Sequence, residues 1–577
     1  MLTGTQDHFS EWRRWDLAIA LLLMLLAFAF RIDRIGFNSL SEDEVAKWAA
    51  IQEYRHGHFI GVNSEHPMVP KMLAWASLTV GEKWERVSSR MGWPSMNPEG
   101  WLRLPYVLFG SATATVLFLL CRQIMGIAGS FAAAFFWAVA PLAVSINRLA
   151  KEETPLTFFT LLACYFYCRA KQSNGLSTRR WYDLSAIGFG FAFASQYIVH
   201  LFGMNQLAWH LAGRAGIDHK PLGSGYKRFF LLIFLTFLLV NPVFFSPANF
   251  KEIVHWLHHD SIHHIGYAFD GNLYVNLPGR LLSGVPWYFY LWLLAVKTPI
   301  PILLAIVVGG ILLLRDRQTL ASCFFLGFGL LQLFALSISG AKWIRYSLSM
   351  LPFLFLAAGY AVEKIWQYAR RREVPALAAG MAAIILFAWP LIETRAWAPY
   401  YPFYLNSIGG GSKNIARYFA PDEVSEFDTR EVTQKICPMA PRGARLATAR
   451  PMSMGYYIES CGRSDIQVVP LYDRSYAPHQ GDLIVLEPSR RFLETQWYFD
   501  FLTRSRMANQ QVRVGPVLAS TIYVFQDSGN FPSGTNQELM AAQSPKPESS
   551  AYRNLNKPDW AGVLTAYFWH PLVRQQQ

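Results

Sequence analysis

Two acidic clusters carry the side chains best suited to chemistry. Ser41-Glu42-Asp43-Glu44 follows the first long apolar run, and Asn147-Arg148-Leu149-Ala150-Lys151-Glu152-Glu153-Thr154-Pro155 stands between two later ones. Charge is costly in lipid, so carboxylates at the mouths of apolar runs mark places where a cavity can form. Two carboxylates converging there can orient a hydroxyl and a sugar. A plainer account competes: Ser41 with Glu44 three residues on is a capping-box pattern, and acids at a helix start complement its dipole. A cationic segment, Ser339-Gly340-Ala341-Lys342-Trp343-Ile344-Arg345-Tyr346, places Lys342 and Arg345 three residues apart, on one face if a helix starts there. Arg holds phosphate oxygens bidentately and Lys supplies a point charge; anchoring beside Trp343 and Tyr346 at a membrane interface is the alternative. His66, beside Pro67, is weak evidence by itself. The tract with His255, His258, His259, His263 and His264 includes an i, i+4 pair of the metal-ligand kind, yet no metal is favoured.

The elements that position these groups are membrane spans. The chain has 577 residues, 52% hydrophobic and 15% aromatic, too apolar for an ordinary soluble protein. Apolar runs at 16–30, 105–120, 127–145, 154–167, 229–245, 299–314, 320–339, 346–362 and 374–392 approach the length needed to cross about 30 Å of hydrocarbon. The stretch 184–212 carries Ser195, Gln196 and His200 near its middle and reads as two short spans folded back as a hairpin, which makes 11 spans. Lys and Arg mark the cytoplasmic loops, from Arg13 and Arg14 to Arg370, Arg371 and Arg372. That alternation places the N-terminus in the cytoplasm and both acidic clusters, with Lys342 and Arg345, on the exported side. Arg31-Ile32-Asp33-Arg34 after the first run is not a small-residue cleavage site, so that run reads as an uncleaved span.

Residues 1–411 form the membrane part, 412–526 an exported α/β domain, and 527–577 a Ser/Pro/Asn-rich tail expected to be mobile with a short helix. The formal net charge is +13, and with 18 Lys/Arg against 16 Asp/Glu after residue 411 the excess belongs to the membrane part. It sits in short loops, where orientation and anionic lipid explain it better than nucleic acid does. In the exported domain strands are expected at 445–449, 466–470, 483–487 and 521–525, and helices at 412–419 and 490–503. Cys437 and Cys461 are its one cysteine pair, and an oxidising compartment permits a disulfide between them. Cys121, Cys164, Cys168 and Cys323 lie in or beside spans as small packing residues.

In order along the chain stand Asp43-Glu44, His66-Pro67-Met68-Val69, Arg103-Leu104-Pro105, the segment from Arg148 to Glu153, Lys297-Thr298-Pro299, Arg345-Tyr346 with Pro352, and Tyr401-Pro402-Phe403-Tyr404 with Gly409-Gly410-Gly411. This series resembles the protein O-mannosyltransferase and aminoarabinose (lipid A) transferase branch of the GT-C glycosyltransferase superfamily, over residues 10 to 412. Two positions depart from the family pattern: Glu153 stands where Asp is usual, and Met68-Val69 replaces Pro-Leu.

The resemblance implies a polytopic α-helical membrane protein of the GT-C fold, with about 11–13 transmembrane helices and interfacial helices in the first outward loop. It implies an inverting transferase that moves a sugar from a polyprenyl-phosphate donor to a hydroxyl on the exported face of the cytoplasmic (inner) membrane. One base suffices for a single displacement, by analogy with the two geometries of glycoside hydrolysis. Asp43 is then the base, Glu44 a capping acid or its orienting partner, and Glu153 the group that positions the acceptor. Lys342, Arg345 and His66 face the donor phosphate. The expected partners are the lipid-linked donor, membrane lipid and a protein or lipid acceptor, with protein Ser/Thr favoured over a lipid A-like lipid or lipid-linked glycan. A multi-span transporter or flippase is the rival from another class, but it would place ionisable groups near the bilayer midplane and often show inverted repeats.

Overall fold

The computed structural model describes residues 14–526, apart from 219–224, 256–265, 277–280, 420–425 and positions 474, 506, 508 and 516, together with Asn536. The expected mobile tail, apart from Asn536, and His258, His259, His263 and His264 lie outside the described residues.

Each apolar run folds as helix. Among the described residues, Arg14–Ile32, Pro98–Arg122, Leu320–Ile338 and Leu377–Ala396 are each at least 18 residues long and apolar enough to cross a bilayer. A bent pair adds a fifth apolar segment, a broken span or a re-entrant loop: Ile127–Val139 and Pro141–Asn147 meet at 58°, where Pro141 withholds a backbone donor. The remaining runs, Glu153–Gln172, Leu176–Ser195, His200–Arg214, Tyr226–Val240, Ile300–Arg315 and Leu351–Arg371, are shorter or end in charged residues. The run expected as a hairpin breaks at 196–199, and its halves differ in their main partners. Leu176–Ser195 packs on Glu153–Gln172 and Tyr226–Val240, whereas His200–Arg214 packs chiefly on the helix from Leu320 and touches Glu153–Gln172 only lightly.

The protein is a polytopic membrane protein by its surface as well as its helices. Along Ile300–Arg315, Leu304, Val307 and Ile311 are exposed while Ile302, Ala305 and Gly309 are buried, an outward apolar face that only lipid satisfies. Inside, small residues let backbones approach: a Cβ added to Gly129 would lie 2.6 Å from the Gly359 carbonyl oxygen. The four free cysteines are buried among these helices.

The first loop between spans is itself helical. Glu42–Arg55 and Met68–Met91 are the two helices expected there, the second preceded by Pro67. Further along, β1 (Tyr267–Phe269) and β2 (Asn272–Tyr274) form a hairpin whose turn residues Asp270 and Gly271 both have positive φ, as a tight two-residue turn requires.

The C-terminal part holds a mixed sheet of β3 (Arg445–Thr448), β4 (Gln467–Pro470), β5 (Leu483–Leu486), β6 (Asn509–Val514) and β7 (Val517–Val524), in the order β4-β3-β5-β7-β6. β3 pairs parallel with β4 and β5, and β7 pairs antiparallel with β5 and β6. β6 escapes the sequence reading because it is an edge strand with polar Asn509, Gln510 and Gln511 exposed. The helix expected over 490–503 shortens to Gln496–Leu502, preceded by a turn in which the Phe492 N–H donates to Thr495 Oγ1. Helices Thr429–Met439 and Pro451–Ser460 cover the sheet, and the Cys437–Cys461 disulfide joins their C-terminal ends across a sequence separation of 24. Closing a loop of that size is worth on the order of 3 kcal/mol.

This domain is seated on the first loop. The Tyr457 hydroxyl accepts from the Leu40 N–H at 2.9 Å and donates to Glu99 at 3.0 Å. Ser39 Oγ donates to the Phe427 carbonyl at 3.2 Å, and Arg430 pairs with Glu99.

Candidate active site

Helix Glu42–Arg55 presents three acids in succession, about 100° apart around its axis, and each meets a different environment. Glu44 points inward. It is fully buried and held bidentately by Arg103, Nε to Oε1 at 2.8 Å and Nη2 to Oε2 at 2.7 Å. The Ala150 N–H adds a bond at 2.9 Å, and the Ser41 N–H and Oγ donate to Oε2 at 3.0 and 3.1 Å. Burial by itself would raise this carboxyl's pKa; Arg103 and the other donors outweigh it and hold the group below its usual value. Of the two expectations for Glu44 the structure has the capping acid: it closes the capping box with Ser41, and its side chain is fully buried. Asp43, by contrast, keeps 42% of its side chain exposed.

The second acidic cluster reaches Asp43 through the break at Pro141. The short helix Pro141–Asn147 ends at Arg148, whose guanidinium donates to the carbonyls of Arg31, Asp33 and Arg34 at 2.9, 2.6 and 3.2 Å and so grips the end of the first span. The turn that follows delivers Lys151 into contact with Asp43 Oδ2. Glu152 forms a buried ion pair with Lys47 at 2.7 Å and lies 3.6 Å from His66 Nδ1. Glu153, the first residue of the next helix, is 96% buried, and its Oε2 has no hydrogen-bond partner among the described residues.

Arg345 closes the constellation. Its Nε lies 3.3 Å from Glu153 Oε1 and its Nη2 3.9 Å from Asp43 Oδ2, and the guanidinium carbon sits 4.9 Å from the Trp343 ring and 5.5 Å from the Tyr346 ring. Lys342 does not join it. The segment is a single 3-10 turn, Ile344–Ser347, with the span beginning only at Leu351, so the helical spacing expected of the two cations does not apply. The Lys342 ammonium turns inward to the Ser337 carbonyl at 3.0 Å and the Ser339 carbonyl, and burial lowers it to about 8. This removes Lys342 from the group expected to face a donor phosphate and makes it a cap on the end of the preceding helix.

The structure thus gathers Asp43, Glu153 and Arg345, brings His66 to the edge of the group through Glu152, and takes Glu44 and Lys342 out of it. Lys151 and Lys47 were missed in the sequence, where each reads as one charge within a mixed cluster; the usable signal was that both neighbour the acids in loops between apolar runs. Burial and the Arg345 charge pull Lys151 down to about 7, against the opposing charges of Glu152 and Glu153. Burial would raise Glu152, but Lys47 and His66 together hold it well below the usual carboxylate range. No group of three or more His, Cys, Asp or Glu is arranged to hold a metal ion among the described residues.

Residues 95–244 match a family described as dolichyl-phosphate-mannose-protein mannosyltransferase. In solved structures, ArnT from Cupriavidus metallidurans in the apo state superposes with a TM-score of 0.50 at 12% identity, covering 88% of this chain and 97% of its own. The chain shares the GT-C fold. The oligosaccharyltransferase of Archaeoglobus fulgidus, tethered to an acceptor peptide, gives a TM-score of 0.51 at 10% identity over 89% of this chain and 74% of its own. No curated protein matches it.

Proposed function

We propose that this glycosyltransferase moves a sugar from a polyprenyl-phosphate donor to a hydroxyl group on the exported side of the inner membrane, with its N-terminus in the cytoplasm. The observation that carries the reading is the convergence of Asp43, Lys151, Glu153 and Arg345 from three separate segments at the base of the exported domain. The family match through 95–244, which includes the Arg148–Glu153 turn, supports a lipid-phosphate sugar as donor and favours a protein Ser/Thr hydroxyl as acceptor over a lipid A-like lipid.

In this reading the acceptor oxygen attacks the anomeric carbon from the face opposite the phosphate. Its proton passes to the Asp43 carboxylate, the bond from carbon to phosphate oxygen breaks, and the electron pair leaves on the phosphate, so the configuration inverts. Lys151, in contact with Asp43, orients its carboxylate. Glu153, with one oxygen held by Arg345 and the other without a partner among the described residues, orients the acceptor hydroxyl. Arg345 gains most from the leaving group, because the phosphate becomes more negative as the bond breaks, and His66 at the rim adds a hydrogen bond to the same phosphate.

Arg345→Ala is expected to lower kcat/KM by roughly 100-fold or more, affecting donor KM and kcat together, and Arg345→Lys is expected to recover little because a point charge lacks the planar fork. Steady-state kinetics with a water-soluble short-chain donor provide the check, since anchoring to lipid is then irrelevant. Unchanged kcat and KM in Arg345→Ala would remove this residue from the site.

The low Lys151 value has a consequence for pH. A lysine whose pKa is depressed in the folded protein keeps its charge at low pH and loses it as pH rises through the folded-state value, which here is about 7. Turnover is expected to fall as pH rises through that value, and Lys151→Arg, always charged, is expected to lose this alkaline limb. A pH profile of kcat for the two proteins tests it; identical limbs would show that Lys151 is not the group titrating.

A further inference from the structure

The third acid of the triplet, Glu42, faces away from both Asp43's cleft and Glu44's pocket, toward the exported domain. Its two carboxylate oxygens accept from the backbone N–H groups of Ser453 at 2.6 Å and Met452 at 3.3 Å. These belong to the first turn of helix Pro451–Ser460, where backbone donors have no partner within the helix. The Ser453 hydroxyl in turn donates to Glu426 at 3.0 Å, and Glu426 pairs with Arg490. The two helices stay in contact beyond this point, with the Trp48 and Tyr456 rings edge to face at 5.6 Å. Tyr457 holds residue 40, two positions before Glu42. Asp43 is therefore flanked by two anchors of different origin: Glu44 is fixed from the membrane side by Arg103, and Glu42 is fixed by the exported domain.

We propose that Glu42 is a positioning residue for the transfer reaction, through which the docked exported domain sets the orientation of Asp43, so that the domain completes the active centre instead of forming an independent module. The inference rests on the reading of Asp43 as the base. Glu42 touches no reacting atom; its effect passes along one peptide unit to the residue that does. A carboxylate bound to two N–H groups fixes the rotation of the helix's first turn. With that bond removed, the turn is free to fray and Asp43 moves relative to Lys151 and Arg345, a displacement of the kind that slows a positioned reaction steeply.

The test is steady-state kinetics of Glu42→Ala and Glu42→Gln beside Asp43→Asn, in protein whose disulfide and melting behaviour are verified. Glu42→Ala is expected to lower kcat about tenfold or more while donor KM changes by less than about twofold, because Arg345 is untouched. Glu42→Gln keeps the volume and one acceptor oxygen and is expected to lose only about two- to fivefold in kcat at constant donor KM, a kcat-against-KM split that a role in domain stability alone would not produce. Wild-type kcat in Glu42→Ala, with Asp43→Asn inactive, overturns this inference and leaves the base assignment standing. An active Asp43→Asn overturns the base assignment itself and this inference with it. If Glu42→Ala does not fold, Glu42→Gln decides alone: a two- to fivefold loss of kcat at constant donor KM supports the coupling, and full activity overturns it.

Discussion

Asp43→Asn is expected to reduce kcat by roughly 10²- to 10⁴-fold, the range set by removing a positioned general base. The amide fills nearly the same volume and Lys151 and Arg345 remain, so folding and donor binding should stay close to wild type. The measurement is single-turnover transfer alongside a melting curve in detergent. Near-wild-type turnover in a folded Asp43→Asn protein would remove the base from the account. Glu153→Gln should be milder, because its proposed role is to orient the acceptor and its Oε1 atom can still accept from Arg345.

The other large effect is on stability. Arg103→Leu leaves the Glu44 carboxylate buried without its bidentate partner and is expected to cost about 3–5 kcal/mol, the range for breaking one side of a buried pair. Arg103 also donates to the carbonyls of Ile35, Asn38 and Ser39, so the segment leading to Asp43 loses its tether at the same time. The expected result is poor recovery of folded protein, with a lowered melting temperature in what is recovered. A variant that melts with wild type would contradict the scaffold role of Glu44. Glu44 is depressed in the folded state, so its contribution is present above its ordinary value of 4.5 and is lost as pH falls through the folded one; the stability gap between variant and wild type should therefore narrow in strong acid.

Much of the membrane architecture was legible because apolar run length is a strong signal and because the Ser41–Glu44 capping box acts locally; the bend at Pro141, inside a run that reads as one span, was not. The candidate site was legible in part. Asp43 and Arg345 announced themselves as charge near membrane ends, but the same argument selected Glu44 and Lys342, which the fold consumes. What separates the members of each pair is tertiary. Glu44 is distinguished from Asp43 only by the arrival of Arg103, and Lys342 from Arg345 only by a turn too tight to be an α-helix. Residues that looked like separate motifs also turn out to hold one another: Lys297 donates to the carbonyls of Pro402 at 2.6 Å and Tyr404 at 3.3 Å, and Asn406 donates to the Thr298 carbonyl at 2.7 Å. Such pairs record which chain segments must meet, more than which groups react. Lys151, Lys47 and Glu42 could not be ranked from sequence because each sits among neighbours of both signs, and their partners come from segments 100 to 400 residues away.

The most direct test of the account follows the sugar itself. Purified protein in detergent is incubated with a polyprenyl-phosphate donor labelled in its sugar, together with membrane-derived protein and lipid acceptors, and the label is traced by fraction. The account predicts that label leaves the donor and appears covalently on a hydroxyl of the protein fraction, with inverted anomeric configuration and with no transfer by Asp43→Asn. Label that remains on the donor lipid with every acceptor, in folded wild-type protein, would contradict the claim that this site transfers sugar.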